Sequence, residues 1–434
     1  MIKESSRYKL FLSFITFFLL IIISLVYISS IQEVYESEGL NDFYKFYLSA
    51  TESVSGESPY WPAPKTKQDC SYLDRIITPL SISNPKDNQS KVQDIIHPNL
   101  NPPAMIAIVK SIANFEYRKA WLIYSIASLI CAAASVIIIS RKCPSSWIMG
   151  RINLSVLYFS YYPCIANIEY GQVAFIILLL LVISWVLFED KKEKTTGFIV
   201  GIIVGLKPFV ALFALSFLAA RRFKLLVAMF IGFSATILFG GLAVGFSYYK
   251  EYISILRDVN WFASSWNASF YGFYTRLFGG AEGSSLFNNP ILGKNLLLIS
   301  CVMVVSLLLW RINSVSKNKN SNPDLGDSIY ALTTPAMLLV SPLGWLYYFP
   351  LLIVPFFIYF RRNYCLKERH VMALLMILAI SLSYLPSFLV SSCQYKSWRD
   401  IIWSSSLPFY SLFIIFILSL IVDAKAARRE IAIM

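Results

Sequence analysis

The feature that most constrains this chain is a succession of apolar runs, recurring about every thirty residues from one end to the other, many of them long enough to cross a hydrocarbon layer. In lipid, every backbone donor and acceptor must find its partner inside the structure, so runs of this length are read as helices. Composition agrees. Hydrophobic residues make up 57% of the 434 and charged residues only 15%, where a soluble domain carries about 25%, and the mean hydropathy is +0.60. The expectation is an all-α polytopic membrane protein, a single membrane-embedded unit spanning 1–434.

A formal net charge of +13 raises the question of nucleic acid, but the placement of the cations answers it. They fall in short clusters just beyond apolar runs: Arg141/Lys142/Arg151, Lys191/Lys192/Lys194, Arg221/Arg222/Lys224, Arg311/Lys317/Lys319, Arg361/Arg362/Lys367/Arg369 and Lys425/Arg428/Arg429. Short cytoplasmic loops retain Lys and Arg, so these clusters mark the inner side and no nucleic-acid partner is implied. Lys3, Arg7 and Lys9 precede an apolar run from Leu10 to Ser30 that lacks a small-residue cleavage site, which predicts a retained first helix and a cytoplasmic N-terminus.

That helix delivers residues 31–100 to the outside as a long first extracytoplasmic loop. Residues 102–115 are too short to span comfortably and read as re-entrant or interfacial. Spans follow at 119–140 (inward), 152–167 (outward) and 172–188 (inward). Residues 197–220 have basic clusters at both ends, which favours a hairpin of two short helices turning at Gly205-Leu206-Lys207-Pro208; a tilted single span is the alternative. The path continues outward at 225–246, through a second outer loop at 247–290, inward at 291–311, outward at 328–341, inward at 345–360, outward at 370–390 and inward at 401–423, to a cytoplasmic C-terminus. The total is about twelve membrane segments, including short or re-entrant helices.

This path brings unusual residues to one side. Asp42, among the aromatics of Asn41-Asp42-Phe43-Tyr44-Lys45-Phe46-Tyr47, is a candidate general base; as a loop residue or helix N-cap it would have no chemical role. Lys207 sits inside an apolar stretch, where an ammonium is costly unless it meets an anion or a wet cavity. Arg276 is a second outer cation, and the two suit a phosphate or pyrophosphate. Gln172, Asn267 and the outer aromatics suit a sugar or headgroup. His97 opens His97-Pro98-Asn99, but with two histidines in the whole chain a histidine-based metal site or triad is not expected. No P-loop, dinucleotide fingerprint or Asp-x-Asp pair is present. Of seven cysteines, Cys70 and Cys393 fall in outer segments and leave a disulfide open.

The order of these pieces resembles glycosyltransferase family 87, polyprenol-phosphate-mannose-dependent mannosyltransferase-like proteins of the GT-C class. The matching pieces are Asp42-Phe43 with Tyr47, Gly56 and Pro59-Tyr60; Pro102-Pro103; Gly171-Gln172; Gly201, Gly205 and Lys207-Pro208; Asn267, Ser269 and Arg276; and Ser341-Pro342 with Trp345. The resemblance implies an inverting transferase with its active site on the outer face. It would take a sugar from a polyprenyl-phosphate-linked donor to a lipid, glycan or protein acceptor, without a cofactor. Asp42 would be the base; Lys207, Arg276, Gln172, Asn267, Tyr47, Trp345, Tyr348 and His97 are candidate substrate-binding residues. Many relatives carry histidine just after the late Trp, where this chain has Leu346, Tyr347 and Tyr348. A secondary transporter of a polar or anionic solute, and another lipid-linked glycan polymerase or ligase, are the competing expectations. Broken helices and an intramembrane lysine also suit a transporter, although no convincing internal repeat is found.

Overall fold

The computed structural model describes residues 2–36, 41–60, 99–142, 148–259, 262–279, 285–317, 322–363, 369–384, 402 and 404–433. Cys70, His97 and Cys393 lie outside them. Among the described residues the chain is helical, and the β contact present is an isolated bridge between Asn267 and Trp345.

Helix α1 (Ile2–Glu36) leads to α2 (Asp42–Ser55), and after residue 99 the chain forms α3 (Pro103–Lys110) and α4 (Tyr117–Arg141). Then come α5 (Ile148–Phe159), α6 (Tyr162–Glu169), α7 (Ala174–Glu189) and α8 (Glu193–Leu206). A 3₁₀ turn at Pro208–Ala211 joins α8 to α9 (Leu212–Ala219), followed by α10 (Phe223–Ala243), α11 (Tyr248–Arg257), α12 (Phe270–Phe278) and α13 (Pro290–Ser316). The chain ends with α14 (Asn322–Val340), a 3₁₀ stretch at Leu346–Leu352, α15 (Ile353–Asn363), α16 (Arg369–Leu382) and α17 (Leu407–Ile433).

Among the described residues, five helices contain stretches long and apolar enough to cross a membrane: Phe17–Glu36, Tyr117–Arg141, Phe223–Ala243, Pro290–Ser316 and Leu407–Lys425. Shorter apolar helices, among them Ala174–Glu189 and Leu325–Val340, pack between them. Large apolar side chains face outward on the long helices, with Phe230 69% and Leu298 64% exposed. That pattern suits a lipid solvent and would be a liability in water.

The predicted outer loops are not simple loops. Residues 31–100 carry the end of α1 and all of α2, and 247–290 contain α11 and α12. The polar composition of these segments hides amphipathic helices lying against the bundle. The expected span 152–167 is broken into α5 and α6, where Pro163 stands in the first turn of α6 and lacks the donor that would continue α5. The polar stretch 312–327 is mostly helix: α13 runs on to Ser316 and α14 begins at Asn322.

Residues 193–222 form the hairpin. Gly197 faces Leu225, Gly201 faces Met229 and Gly205 faces Thr236, so α8 and α10 run parallel. A Cβ at Gly201 would overlap the Met229 carbonyl, and one at Gly232 the carbonyl of Phe198; glycine lets the two backbones meet. Helices α8 and α10 can be parallel only if the segment between them, the 3₁₀ turn and α9, runs back along them. Arg222 closes the return with an ion pair to Glu193 at 2.8 Å.

All of the basic clusters that can be described gather at this end of the bundle. Lys142 pairs with Glu189 at 2.7 Å, Arg361 pairs with Asp327, and Arg311 and Arg362 both meet Asp423, the former at 2.5 Å. The other end of α7, about 24 Å away at 1.5 Å per residue, carries Gln172 and the candidate site.

Candidate active site

The site is built where α2 docks on the turn between α6 and α7. Asn41 caps α2 by accepting from the Tyr44 backbone N–H at 3.2 Å. Its side-chain amide donates to the Glu169 carbonyl at 3.0 Å. The Phe43 N–H donates to the Tyr170 carbonyl at 3.2 Å. Gly171 has φ +61°, and a Cβ there would collide with Phe43 and Trp121. Glycine is therefore needed twice over, for the left-handed backbone and for the close approach.

Asp42, the first residue of α2, is held through both oxygens. Lys45 donates to Oδ1 at 2.8 Å, one turn along the helix. Gln172 donates to Oδ2 at 2.5 Å. Gln172 is buried, and its Oε1 has no hydrogen-bond partner among the described residues. The carboxylate is thus oriented, with its side chain still 22% exposed.

Lys207 terminates α8 in an extended conformation, and Pro208 begins the 3₁₀ turn. It is only 9% exposed. Its ammonium lies 5.4 Å from the centroid of the Tyr348 ring, and the Phe209 ring packs 4.9 Å from the same tyrosine. Among the described residues its ammonium makes no ion pair or hydrogen bond. Asp42 is within Coulombic reach of Lys207, Tyr347 and Tyr348.

An aromatic wall borders these groups. Trp345 stacks on Tyr347 at 5.9 Å, Tyr347 lies 6.3 Å from Tyr170, and Tyr170 lies 5.0 Å from Trp266. Such faces suit the C–H surface of a sugar ring or an isoprenoid stem.

Other predicted site residues are placed differently. The Asn267 side chain is wholly used in joining the outer loop to the late Ser-Pro turn. Its amide donates to the Phe262 and Pro342 carbonyls at 3.0 and 2.9 Å, and its oxygen accepts from Ser269 and the Gly344 N–H. Arg276 is 1% exposed; its guanidinium donates to the Ser264 and Asn267 carbonyls at 2.7 and 3.1 Å and to Ser406. Both side chains stabilise the loop that carries Trp266. The sequence could not show this, because their partners are backbone carbonyls brought near by folding. Tyr47 donates to the Phe115 carbonyl at 2.8 Å and packs on Phe43 and Tyr117. Burial, with Glu116 nearby, raises its phenol above the usual value, which keeps it a donor.

Lys45 is the functional candidate that the sequence reading missed. Its signal was available: a lysine three residues after an aspartate shares its helix face once the segment is known to be helical. Tyr347 also gains weight as part of the aromatic wall. Among the described residues no group of three or more His, Cys, Asp or Glu is placed to hold a metal ion.

The profile of glycosyltransferase family 87 matches residues 99–342, more than half of the chain. This chain belongs to glycosyltransferase family 87, which favours the transferase expectation over the transporter. The matched region holds Gln172, Lys207, Asn267 and Arg276; α2 with Asp42 and Lys45 precedes it, and Trp345 to Tyr348 follow it. Among characterised proteins, the chain is similar to a polyprenol-phosphate-mannose-dependent alpha-(1-2)-phosphatidylinositol pentamannoside mannosyltransferase of Mycolicibacterium smegmatis. The two are 27% identical over 194 residues, which cover 44% of this chain and 43% of that relative, less than half the length of either. No solved structure matches.

Proposed function

We propose that this glycosyltransferase moves a hexose, with mannose the first to test, from a polyprenyl-phosphate-linked donor to a hydroxyl of a lipid, glycan or protein acceptor, with inversion. The observation that carries the reading is the pairing of an oriented carboxylate, Asp42, with Lys207, a buried ammonium that has no ion pair among the described residues. An ionisable side chain at membrane depth is costly, and a bound anion relieves that cost.

The chemistry follows from these two charges. Asp42 accepts the proton of the acceptor hydroxyl. The oxygen attacks the anomeric carbon on the face opposite the phosphate, and polyprenyl phosphate departs beside Lys207, which stabilises the developing charge. Gln172 fixes the carboxylate. Trp345, Tyr347 and Trp266 flank the sugar, and Tyr348 holds the lysine through its ring face. Asn267 and Arg276 act through the loop they frame. The polyprenol-phosphate-mannose dependence of the similar mycobacterial protein supports the choice of donor. Because the basic clusters lie at the opposite end of the bundle, the positive-inside rule supports an extracytoplasmic site and cytoplasmic termini.

Purified protein in lipid, given radiolabelled polyprenyl-phosphate-mannose and a membrane glycolipid extract, is expected to transfer label into a product whose new bond has the opposite anomeric configuration to the donor. Retention of configuration, or silence with mannose, glucose and other polyprenyl-phosphate-linked sugars alike, contradicts the reading.

A further inference from the structure

Lys45 and Asp42 are partly withdrawn from water, with side chains 14% and 22% exposed and 2.8 Å between ammonium and carboxylate. Gln172 holds the other carboxylate oxygen, and Lys207 stands within Coulombic reach without an ion pair among the described residues. These groups give two positive charges and one negative. A sugar joined to a polyprenyl chain through a phosphodiester brings one more negative charge, and the sum is zero.

We propose that Lys45 is a second catalytic cation, which neutralises Asp42 in the resting enzyme and passes to the departing phosphate as Asp42 takes up the acceptor's proton. This inference rests on the transferase reading above. In the step, the acceptor O–H bond breaks and its proton goes to Asp42, while that oxygen's electron pair forms the new bond to the anomeric carbon. The bond from that carbon to the phosphate oxygen breaks, and its electron pair stays on the phosphate. Asp42 goes from one negative charge to none; the phosphate goes from one to two. Both lysines remain cations, so the site is neutral before and after.

With Lys207 alone, the same groups would carry an uncompensated negative charge throughout, an expensive condition where the local dielectric is low. Lys45 lies on the same face of α2 as Asp42, and its four-carbon stem lets the ammonium change partner without moving the helix. A bland role is also available to this pair, since an acid–lysine contact one turn apart stabilises a helix slightly. The two roles differ in what they predict for polyprenyl phosphate, the product that carries the extra charge.

The test uses the full chain in lipid and measures initial rates with polyprenyl-phosphate-mannose together with inhibition by free polyprenyl phosphate. Lys45→Gln is expected to lower kcat about a hundredfold while changing the donor KM less than about threefold. It is also expected to weaken inhibition by polyprenyl phosphate about tenfold, and Lys45→Arg should restore most of both. Unchanged kcat and unchanged inhibition would reduce Lys45 to a helix ion pair and overturn the proposal. A donor KM raised as much as the inhibition constant would also overturn it, because Lys45 would then hold the phosphate before reaction. Lys45→Met carries the same comparison should the glutamine variant fold poorly. Asp42→Asn, run beside them, separates the two levels. Transfer by that variant overturns the base assignment, whereas its silence beside a wild-type-like Lys45→Gln overturns only the role of Lys45.

Discussion

Gln172, Lys207 and Asn267 sit in different surroundings, and the expected mutant effects differ accordingly. Gln172 grips Asp42 through a single 2.5 Å hydrogen bond. Gln172→Leu leaves the carboxylate charged and held by Lys45 alone, so kcat should fall about tenfold with donor KM little changed. Lys207 has no such partner among the described residues, and Lys207→Met removes the buried cation itself. Initial-rate measurements should show a donor KM raised by about tenfold or more. Asn267 stands apart from both: it donates two and accepts several hydrogen bonds that join its own loop to the late Ser-Pro turn. Asn267→Ala should cost about 2 kcal/mol of stability, read as a lower melting temperature in detergent, with activity falling only as the folded fraction falls. Asp42, Gln172 and Lys207 were legible as a converging set because topology alone places them at one end. The roles of Asn267 and Arg276 were not legible, since a polar side chain that binds a carbonyl in a distant turn has the same sequence as one that binds substrate.

At the scale of helices, the site depends on two close approaches. The first is α2 against the Gly171 turn. Gly171→Ala introduces a Cβ at positive φ against Phe43, and should cost about 1–3 kcal/mol. Transfer activity should drop further than the melting temperature implies, because the displaced helix is the one that carries Asp42. The second is the α8–α10 contact, through which the hairpin presents Lys207. The sequence favoured that hairpin over a tilted single span, through a Lys-Pro break between two basic clusters, and the Arg222–Glu193 pair closes the return. It did not disclose α2, α11 or α12, because short amphipathic helices on a membrane surface have the composition of loops. Nor did it disclose the break ahead of Pro163, where two apolar helices read as one continuous run.

Across the whole molecule, charge is divided between two ends that do different things. At the end opposite the site, Asp423 receives Arg311, Arg362 and Ser328, and so ties α13, α14 and α15 to α17. Asp423→Asn would leave two arginines short of a counter-charge, a change that costs about 3–5 kcal/mol when the pair is buried. A large, salt-insensitive fall in melting temperature is the expected result. The same clusters assign the sides of the membrane. Single cysteines replacing Glu57 and Lys192, in a background without native cysteines, should react with an impermeant thiol reagent from outside and from inside respectively; the reverse pattern would move the site to the cytoplasmic face.

The central claim is that Asp42 is the base, and single-turnover transfer from polyprenyl-phosphate-mannose by wild type and Asp42→Asn tests it most directly. The near-isosteric change preserves packing and removes the proton acceptor. Transfer should fall by about a thousandfold or more, while the variant still binds donor and melts close to the wild-type temperature. Transfer by Asp42→Asn at a rate near that of wild type would contradict the account and place the base elsewhere.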